Sequence, residues 1–167
     1  MIDLKRIVVA TDLSELSLCA VKHAAELAHQ FRAELHLLTI SVYPYVEFAA
    51  QCQDYYGVTI DQCEKDLYES CVERLSKVDV SPLPNENAVR VVEQGFVVEE
   101  IRKYCETKEA DLLVAGTHGH TGLTHILMGS VAEELVRVAP CPILTVRDES
   151  HTFVPMGEEA ESAASPS

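Results

Sequence analysis

The sequence has few positive charges. Only 13 lysines and arginines stand against 27 aspartates and glutamates, and the formal net charge is −14. Because proteins bind nucleic-acid backbones mainly through lysine and arginine, this balance argues against a direct nucleic-acid partner. The chain also lacks an apolar run of about 18 residues, so no transmembrane helix and no membrane partner are predicted.

Signals for secretion and for redox chemistry are missing as well. Residues 1–6 lead directly into an apolar strand pattern and lack the layout of a signal peptide, so we expect a cytoplasmic protein. The six cysteines include no C-x-x-C pair. Cytoplasmic cysteines of this kind are expected to be reduced, mostly buried, small apolar side chains.

Hydrophobic periodicity predicts strands and helices in strict alternation. Short, mainly apolar segments predict strands at 6–11, 34–40, 88–92, 112–115 and 142–146. Helical spacing predicts a first helix that starts after the signal at 12–15, and further helices at 58–77, 97–108 and 131–138. The second of these helices carries a predicted apolar stripe made of Ile60, Cys63, Leu67, Cys71 and Leu75. The alternation indicates an α/β fold with a parallel sheet and helices on both faces.

The last twenty residues have a different composition. Residues 148–167 contain five acidic side chains and no lysine or arginine. We therefore expect one domain at 1–147, followed by an acidic, disordered tail at 148–167.

A glycine-rich loop separates the predicted fourth strand from the last helix. It reads Gly116-x2-Gly119-x9-Gly129-Ser130. Glycines let a backbone approach an anion closely, and the first N–H groups of the following helix point at that anion. The loop is not a P-loop, because no lysine lies between residues 116 and 130. Three glycines at this spacing favour phosphate binding over glycines that serve only tight turns.

Two polar residues near the predicted site each have two possible roles. Ser130 opens an S-x-x-E capping box with Glu133, so it could cap the last helix or contact phosphate. Asp12 could cap the first helix with Glu15 as its partner, or accept a hydrogen bond from a base or sugar. If the bound phosphates belong to a nucleoside triphosphate, Glu133 and Glu134 would repel it unless a metal ion intervened. We therefore expect Mg²⁺ or Mn²⁺ to accompany such a nucleotide.

No arrangement of nucleophile and base is evident. The chain has no G-x-S-x-G, no H-E-x-x-H and no carboxylate pair around the glycine loop. The loop histidines match no common zinc pattern, so no metal site made of protein side chains is predicted; they are His118, His120 and His125. The aromatic-rich segment 41–57 is expected to pack over the second helix, with a flap over a base pocket or a partner surface as the alternatives.

From about residue 5 to residue 147 the chain resembles the universal stress protein family. The glycine loop matches in full the G-x2-G-x9-G-[ST] signature of the family's ATP-binding members, and the stretches 8–14, 36–40, 110–119, 127–133 and 140–146 supply further landmarks. The resemblance implies a five-stranded parallel sheet of order 3-2-1-4-5. It also implies a homodimer joined through strand 142–147, and ATP between strands one and four.

The resemblance also implies a role for individual residues. Asp12 and the backbone of Ile40 would meet adenine, and Ala115 and Gly116 would line the ribose. Ala10, which stands where many relatives have proline, belongs to the same implied site. The implied phosphate contacts are Gly119, Gly129, Ser130 and Val131.

The leading hypothesis is a cytoplasmic, ATP-binding regulatory protein of the stress response. It would act as a nucleotide-dependent switch, with slow hydrolysis at most. One alternative is an ATPase or phosphotransferase with His118 or His120 as phosphate acceptor. The other is a dimeric interaction protein that captures an unidentified protein partner through its dimer surface and acidic tail, without nucleotide.

Overall fold

The computed structural model describes residues 3–42, 59–117 and 129–147. Within them, strands and helices alternate along the chain, with one short 3₁₀ turn at Asn85–Asn87. In chain order they are β1 (Arg6–Ala10), α1 (Glu15–Phe31), β2 (Glu34–Ser41), α2 (Ile60–Ser76), β3 (Ala88–Gln94), α3 (Val97–Thr107), β4 (Leu112–Gly116), α4 (Ser130–Val138) and β5 (Ile143–Val146). None of the helices in these ranges combines the length and the apolar character that a membrane crossing requires.

The five strands form one parallel sheet in the order β3-β2-β1-β4-β5, which confirms the expected fold. β1 is central, and its Val8 pairs with His36 of β2 on one side and with Leu113 of β4 on the other. The winding reverses between β1 and β4, because β2 and β3 extend the sheet in one direction and β4 and β5 in the other. Ligands of such sheets bind beyond the carboxyl ends of the strands at this reversal.

Helices cover both faces of the sheet. Side chains of a strand alternate between faces, so Ile7 and Val9 of β1 join one apolar cluster and Val8 joins the other. The first cluster is covered by alanines of α1, and the second by Ile101 of α3 and Leu135 of α4. Double-sided burial explains why residues 7–10 of β1 are all apolar.

The predicted apolar stripe of α2 is buried only at its end. Leu75 is buried, whereas Leu67 is 42% exposed. The carbonyl of Leu75 accepts a hydrogen bond from Arg90 of β3, which ties this end of α2 to the sheet. The residues predicted to share one face of α2 are therefore not all part of the core.

The expected burial of the cysteines is also only partly met. Among the five cysteines in the described ranges, Cys105 is buried and the other four are half-buried. The side chains of Cys105 and Cys141, far apart in sequence, lie close enough to influence each other. This contact and burial raise the pKa of Cys105, while the same contact lowers the pKa of Cys141.

Candidate functional site

A cleft of about 290 Å³ opens at the carboxyl ends of β1 and β4. Its walls come from the ends of β1, β2 and β4 and from the first turns of α3 and α4. Eight residues that the sequence assigns to the binding site line it together: Ala10, Asp12, Ile40, Ala115, Gly116, Gly129, Ser130 and Val131. Gly119, the loop histidines and most of the aromatic segment lie outside the described residues.

One end of the cleft is built from the start of α4. The Gly129 amide donates to the carbonyl of Thr117 at 2.7 Å, which ties the helix start to the end of β4. A Cβ atom on Gly129 would lie 3.1 Å from that carbonyl oxygen, so the close approach depends on glycine. Among the described residues no side chain caps the start of α4, and Ser130, Val131 and Ala132 of its first turn line the cleft. An uncapped helix start of this kind presents N–H groups and the positive end of the helix dipole.

The capping-box interpretation of Ser130 is wrong. Gly129 is the N-cap of α4, with φ −67° and ψ 152°, and Ser130 is the first helical residue. The chain turns into the helix at Gly129 because its amide is held by Thr117 and its carbonyl accepts from the amide of Glu133 at 3.0 Å. The Glu133 carboxylate forms an ion pair with Arg137. This leaves the phosphate-contact interpretation of Ser130 as the surviving prediction.

Asp12 is not the N-cap of α1 either. That position belongs to Ser14, whose Oγ accepts from the amide of Ser17 at 3.2 Å. The Asp12 carboxylate instead accepts from the amide of Ser14 at 3.0 Å and from its hydroxyl at 2.6 Å. Asp12 therefore lies before the cap, exposed at the rim of the cleft and oriented by Ser14.

Buried hydroxyls that the sequence reasoning missed support this rim. The Oγ1 of Thr11 lies 2.8 Å from the Oγ of Ser17, and Thr39 donates to the carbonyl of Thr11 at 3.0 Å. All three side chains are buried, and buried hydroxyls are rarely left without partners. The sequence signal for Thr11 and Ser17 is the polar segment around Asp12. Residues of this kind are also common at ordinary helix starts, so the pattern does not distinguish the two roles.

The other end of the cleft is apolar. It is lined by Leu38 and Ile40 of β2 and by Val97 and Ile101 of α3, which belong to one packed apolar cluster. Among the described residues that line the cleft, Asp12 is the one charged side chain, and no lysine or arginine is present. An anion in this part of the site would therefore be held by backbone N–H groups and the helix dipole. Within the described ranges, no cluster of three metal-ligating side chains occurs.

A second polar constellation lies inside the protein, between β2 and α3. His36 is buried, and its Nδ1 lies 2.7 Å from the hydroxyl of Tyr104. Its Nε2 is 3.0 Å from a carboxylate oxygen of Glu34, but the N–H is not aligned for a hydrogen bond. Burial, followed by the nearby carboxylate of Glu93, raises the pKa of Tyr104 to about 12. Neither His36 nor Tyr104 lines the cleft, so this pair is structural.

Comparison with known proteins gives a consistent result. The model of the universal stress protein family matches residues 3–147. Universal stress protein MJ0531 of Methanocaldococcus jannaschii is 37% identical over 147 residues, which cover 86% of this chain and 82% of that protein. The solved structure of protein MJ0577, also from M. jannaschii, is 25% identical with a TM-score of 0.71, over 89% of this chain and 99% of that one.

Two more distant structures share the fold and contain a nucleotide. A universal stress protein in complex with cAMP is 24% identical, with a TM-score of 0.55, over 86% of this chain and 97% of that one. The universal stress protein of Archaeoglobus fulgidus in complex with dAMP is 17% identical, with a TM-score of 0.53, over 87% of this chain and 98% of that one.

Proposed function

Because this chain belongs to the universal stress protein family, we propose that it is a cytoplasmic regulatory protein that binds ATP in the cleft between β1 and β4. The observation that carries the proposal is the uncapped start of α4, which opens into a cleft with an apolar far end. Neighbours of the same fold bind cAMP or dAMP, so the fold accommodates adenine nucleotides.

The phosphates are assigned to the start of α4. The N–H groups around Gly129, Ser130 and Val131 would hold them, and Gly119 is assigned there from the loop motif. The glycine at position 129 fits this role, because the chain runs too close to Thr117 for a side chain to be accommodated without displacement. Backbone donors at a helix start are a common way of binding phosphate.

The base and sugar are assigned to the rest of the cleft. The apolar walls from β2 and α3 suit the faces of adenine, and the Asp12 carboxylate suits its exocyclic amine, which donates hydrogen bonds. The backbone of Ile40 would complete the base contacts, while Ala10, Ala115 and Gly116 would line the ribose. A volume of about 290 Å³ is at the lower end of the range for small-molecule sites, about 300–1,000 Å³. The phosphates would then extend past the cleft along the start of α4.

A divalent cation is proposed to accompany the nucleotide. The net charge of −14 and the Asp12 carboxylate both oppose a triphosphate, and the described lining offers no positive side chain. Mg²⁺ or Mn²⁺ bound mainly through phosphate oxygens would offset this repulsion. The protein's own contribution would be to position the phosphates.

The proposed role of the nucleotide is to switch the protein between states, with slow hydrolysis at most. In the described part of the cleft, the hydroxyls of Thr11 and Ser17 are hydrogen-bonded to each other, no histidine or lysine accompanies them, and the Asp12 carboxylate already accepts two hydrogen bonds from Ser14. A nucleophile that attacks phosphate needs such a base nearby. The lining therefore favours binding over turnover.

We also propose a homodimer joined through strand 142–147. β5 is an edge of the sheet, and its Leu144 is 38% exposed. Val136 and Val138 at the end of the adjacent α4 are exposed as well. Exposed edge strands with apolar side chains pair readily with another strand, and a second copy offers a matching one.

Equilibrium dialysis with ATP and Mg²⁺ tests the proposal, with Gly129→Val as the informative variant. Its branched side chain would displace the helix start, and we expect the affinity for ATP to fall by about tenfold to a hundredfold, the equivalent of one charge-assisted hydrogen bond. Ala139→Val is the matched control, because Ala139 has a similar extended backbone at the opposite end of α4.

Three outcomes are informative. Binding that Gly129→Val weakens and Ala139→Val leaves unchanged supports the proposal. No binding by the unaltered protein at millimolar ATP contradicts it and favours the interaction protein. Rapid phosphate release, lost in His118→Ala or His120→Ala, would favour the enzyme.

A further inference from the structure

The loop between β1 and α1 passes through a residue in an unusual conformation. Leu13 has φ 62°, in the left-handed region that leucine disfavours, and its side chain is buried. Two other non-glycine residues in the described ranges have positive φ, but Arg32 caps α1 and Glu109 follows the cap of α3. Left-handed residues are normal at helix ends. Leu13 lies before a helix, so its conformation requires support from its surroundings.

Two hydrogen bonds supply that support. The Leu13 amide donates to the buried Oγ1 of Thr11 at 3.0 Å. Its carbonyl accepts from the Nη2 of Arg74 at 2.9 Å, across a sequence separation of 61 residues. Arg74 lies in the last turn of α2 and does not line the cleft. The loop at the cleft rim is thus held from a helix that is not part of the cleft.

The conformation of Leu13 determines how its two neighbours meet. Asp12 and Ser14 flank it, and the left-handed turn brings the amide and the hydroxyl of Ser14 onto one oxygen of the Asp12 carboxylate. A rotation of Leu13 toward negative φ would separate these groups and redirect the carboxylate. The orientation of Asp12 at the rim therefore depends on the groups that hold Leu13.

We propose that Arg74 is a positioning residue for base recognition: by holding the Leu13 carbonyl, it fixes Asp12 for the exocyclic amine of an adenine nucleotide. This inference rests on the proposed function and adds a determinant outside the cleft. It also links α2 to the nucleotide site. A carboxylate in this position accepts from the 6-amino group of adenine but repels the 6-oxo group of hypoxanthine, so the ligand class is a 6-aminopurine nucleotide.

Substitution of Arg74 tests the inference through selectivity. Arg74→Met keeps most of the side-chain length and removes the donor, and Arg74→Lys restores one donor. We expect Arg74→Met to bind ATP about threefold to tenfold more weakly than the unaltered protein. This is in the lower part of the range for residues that affect binding without contacting the ligand, because Arg74 is exposed. Binding of ITP should change less, so the ratio of ATP to ITP affinity narrows. Arg74→Lys should recover part of the ratio.

Arg90→Met is the matched control. Arg90 of β3 also donates to backbone carbonyls, those of Leu75 at the end of α2 and of Val78 just after it, but among the described residues it makes no hydrogen bond to the loop at Leu13. Arg90→Met should therefore leave the ratio of ATP to ITP affinity unchanged, even if it lowers the melting temperature as Arg74→Met does. Hydrogen exchange of the amides at 13–17, followed without nucleotide, should accelerate in Arg74→Met and stay unchanged in Arg90→Met.

The outcomes separate this inference from the proposed function. If the protein binds ATP, and if Arg74→Met narrows the ratio of ATP to ITP affinity while Arg90→Met does not, both the proposed function and the inference about Arg74 are supported. ATP binding with the same ratio in Arg74→Met and the unaltered protein overturns the inference alone. If the unaltered protein binds no nucleotide, the proposed function fails and base recognition by Arg74 fails with it; faster exchange at 13–17 would then show only that Arg74 holds the loop.

Discussion

Asp12→Asn should change which base the protein prefers while leaving the fold intact. One carboxylate oxygen of Asp12 accepts two hydrogen bonds from Ser14, and the side-chain oxygen of asparagine can accept the same two. The loop and the cap of α1 should therefore persist. The second oxygen becomes an NH₂ group, which cannot accept from the 6-amino group of adenine and can donate to a 6-oxo group.

The expected size of the effect follows from the exposure of the rim. A hydrogen bond to a charged group contributes about 1.5–3 kcal/mol, and Asp12 is exposed, so we take about 1–2 kcal/mol. This corresponds to a loss of about fivefold to thirtyfold in ATP affinity. ITP affinity should rise, so the preference for ATP over ITP disappears or inverts.

Isothermal titration calorimetry with both nucleotides and Mg²⁺ measures this, and thermal unfolding without nucleotide checks the fold. Equal losses for ATP and ITP would mean that Asp12 acts through charge or structure and does not read the base. An unchanged ATP affinity with an unchanged melting temperature would refute the assignment of Asp12 to the base.

Two further predictions concern the interior and the sheet edge. Tyr104→Phe should cost about 1–3 kcal/mol in the free energy of unfolding at pH 8, because the Nδ1 of buried His36 loses its partner. The folded-state pKa of Tyr104, about 12, exceeds the ordinary value of 10, so its contribution is fully present below pH 10 and is lost as the pH rises toward 12. Urea unfolding followed by circular dichroism should show that the difference in free energy of unfolding between the unaltered protein and Tyr104→Phe shrinks as the pH rises from 10 to 12. A constant difference would contradict the pKa shift of Tyr104. Leu144→Asp should convert the proposed dimer into a monomer in sedimentation velocity, because it places a charge on the exposed edge strand β5, and a variant that stays dimeric would place the interface elsewhere.

The sheet could be predicted from the sequence because its signals are local and strong. Residues 7–10 are all apolar, as expected for a central strand buried on both faces, and the structure places that strand at Arg6–Ala10. The alternation of strands and helices then leaves few topologies. The glycine spacing, together with its place after the fourth strand, located the cleft.

The helix starts could not be predicted to the residue, for an identifiable reason. Asp12 and Ser14 are both good N-cap residues, and the choice depends on Thr11 and Arg74, one of which is distant in sequence. Ser130 has a capping-box pattern, but the Thr117 carbonyl fixes Gly129 as the cap. Local pattern ranks the candidates, and tertiary hydrogen bonds decide between them.

The exposed face of α2 has a similar explanation. Periodicity shows which residues of a helix share a face, but not how far along the sheet the helix is placed. That placement depends on tertiary packing, such as the burial of Leu75 in the core, which the sequence pattern does not reveal.

The central claim is that the first backbone amides of α4 hold phosphate, and their NMR signals test it most directly. Titration of ¹⁵N-labelled protein with ATP and Mg²⁺ should give the largest amide shifts at Gly129, Ser130, Val131 and Ala132, with little change at Ala33, which precedes β2 at the opposite end of the sheet. Unchanged signals from residues 129–132 at saturating ATP, or binding that shifts only distant amides, would contradict the account.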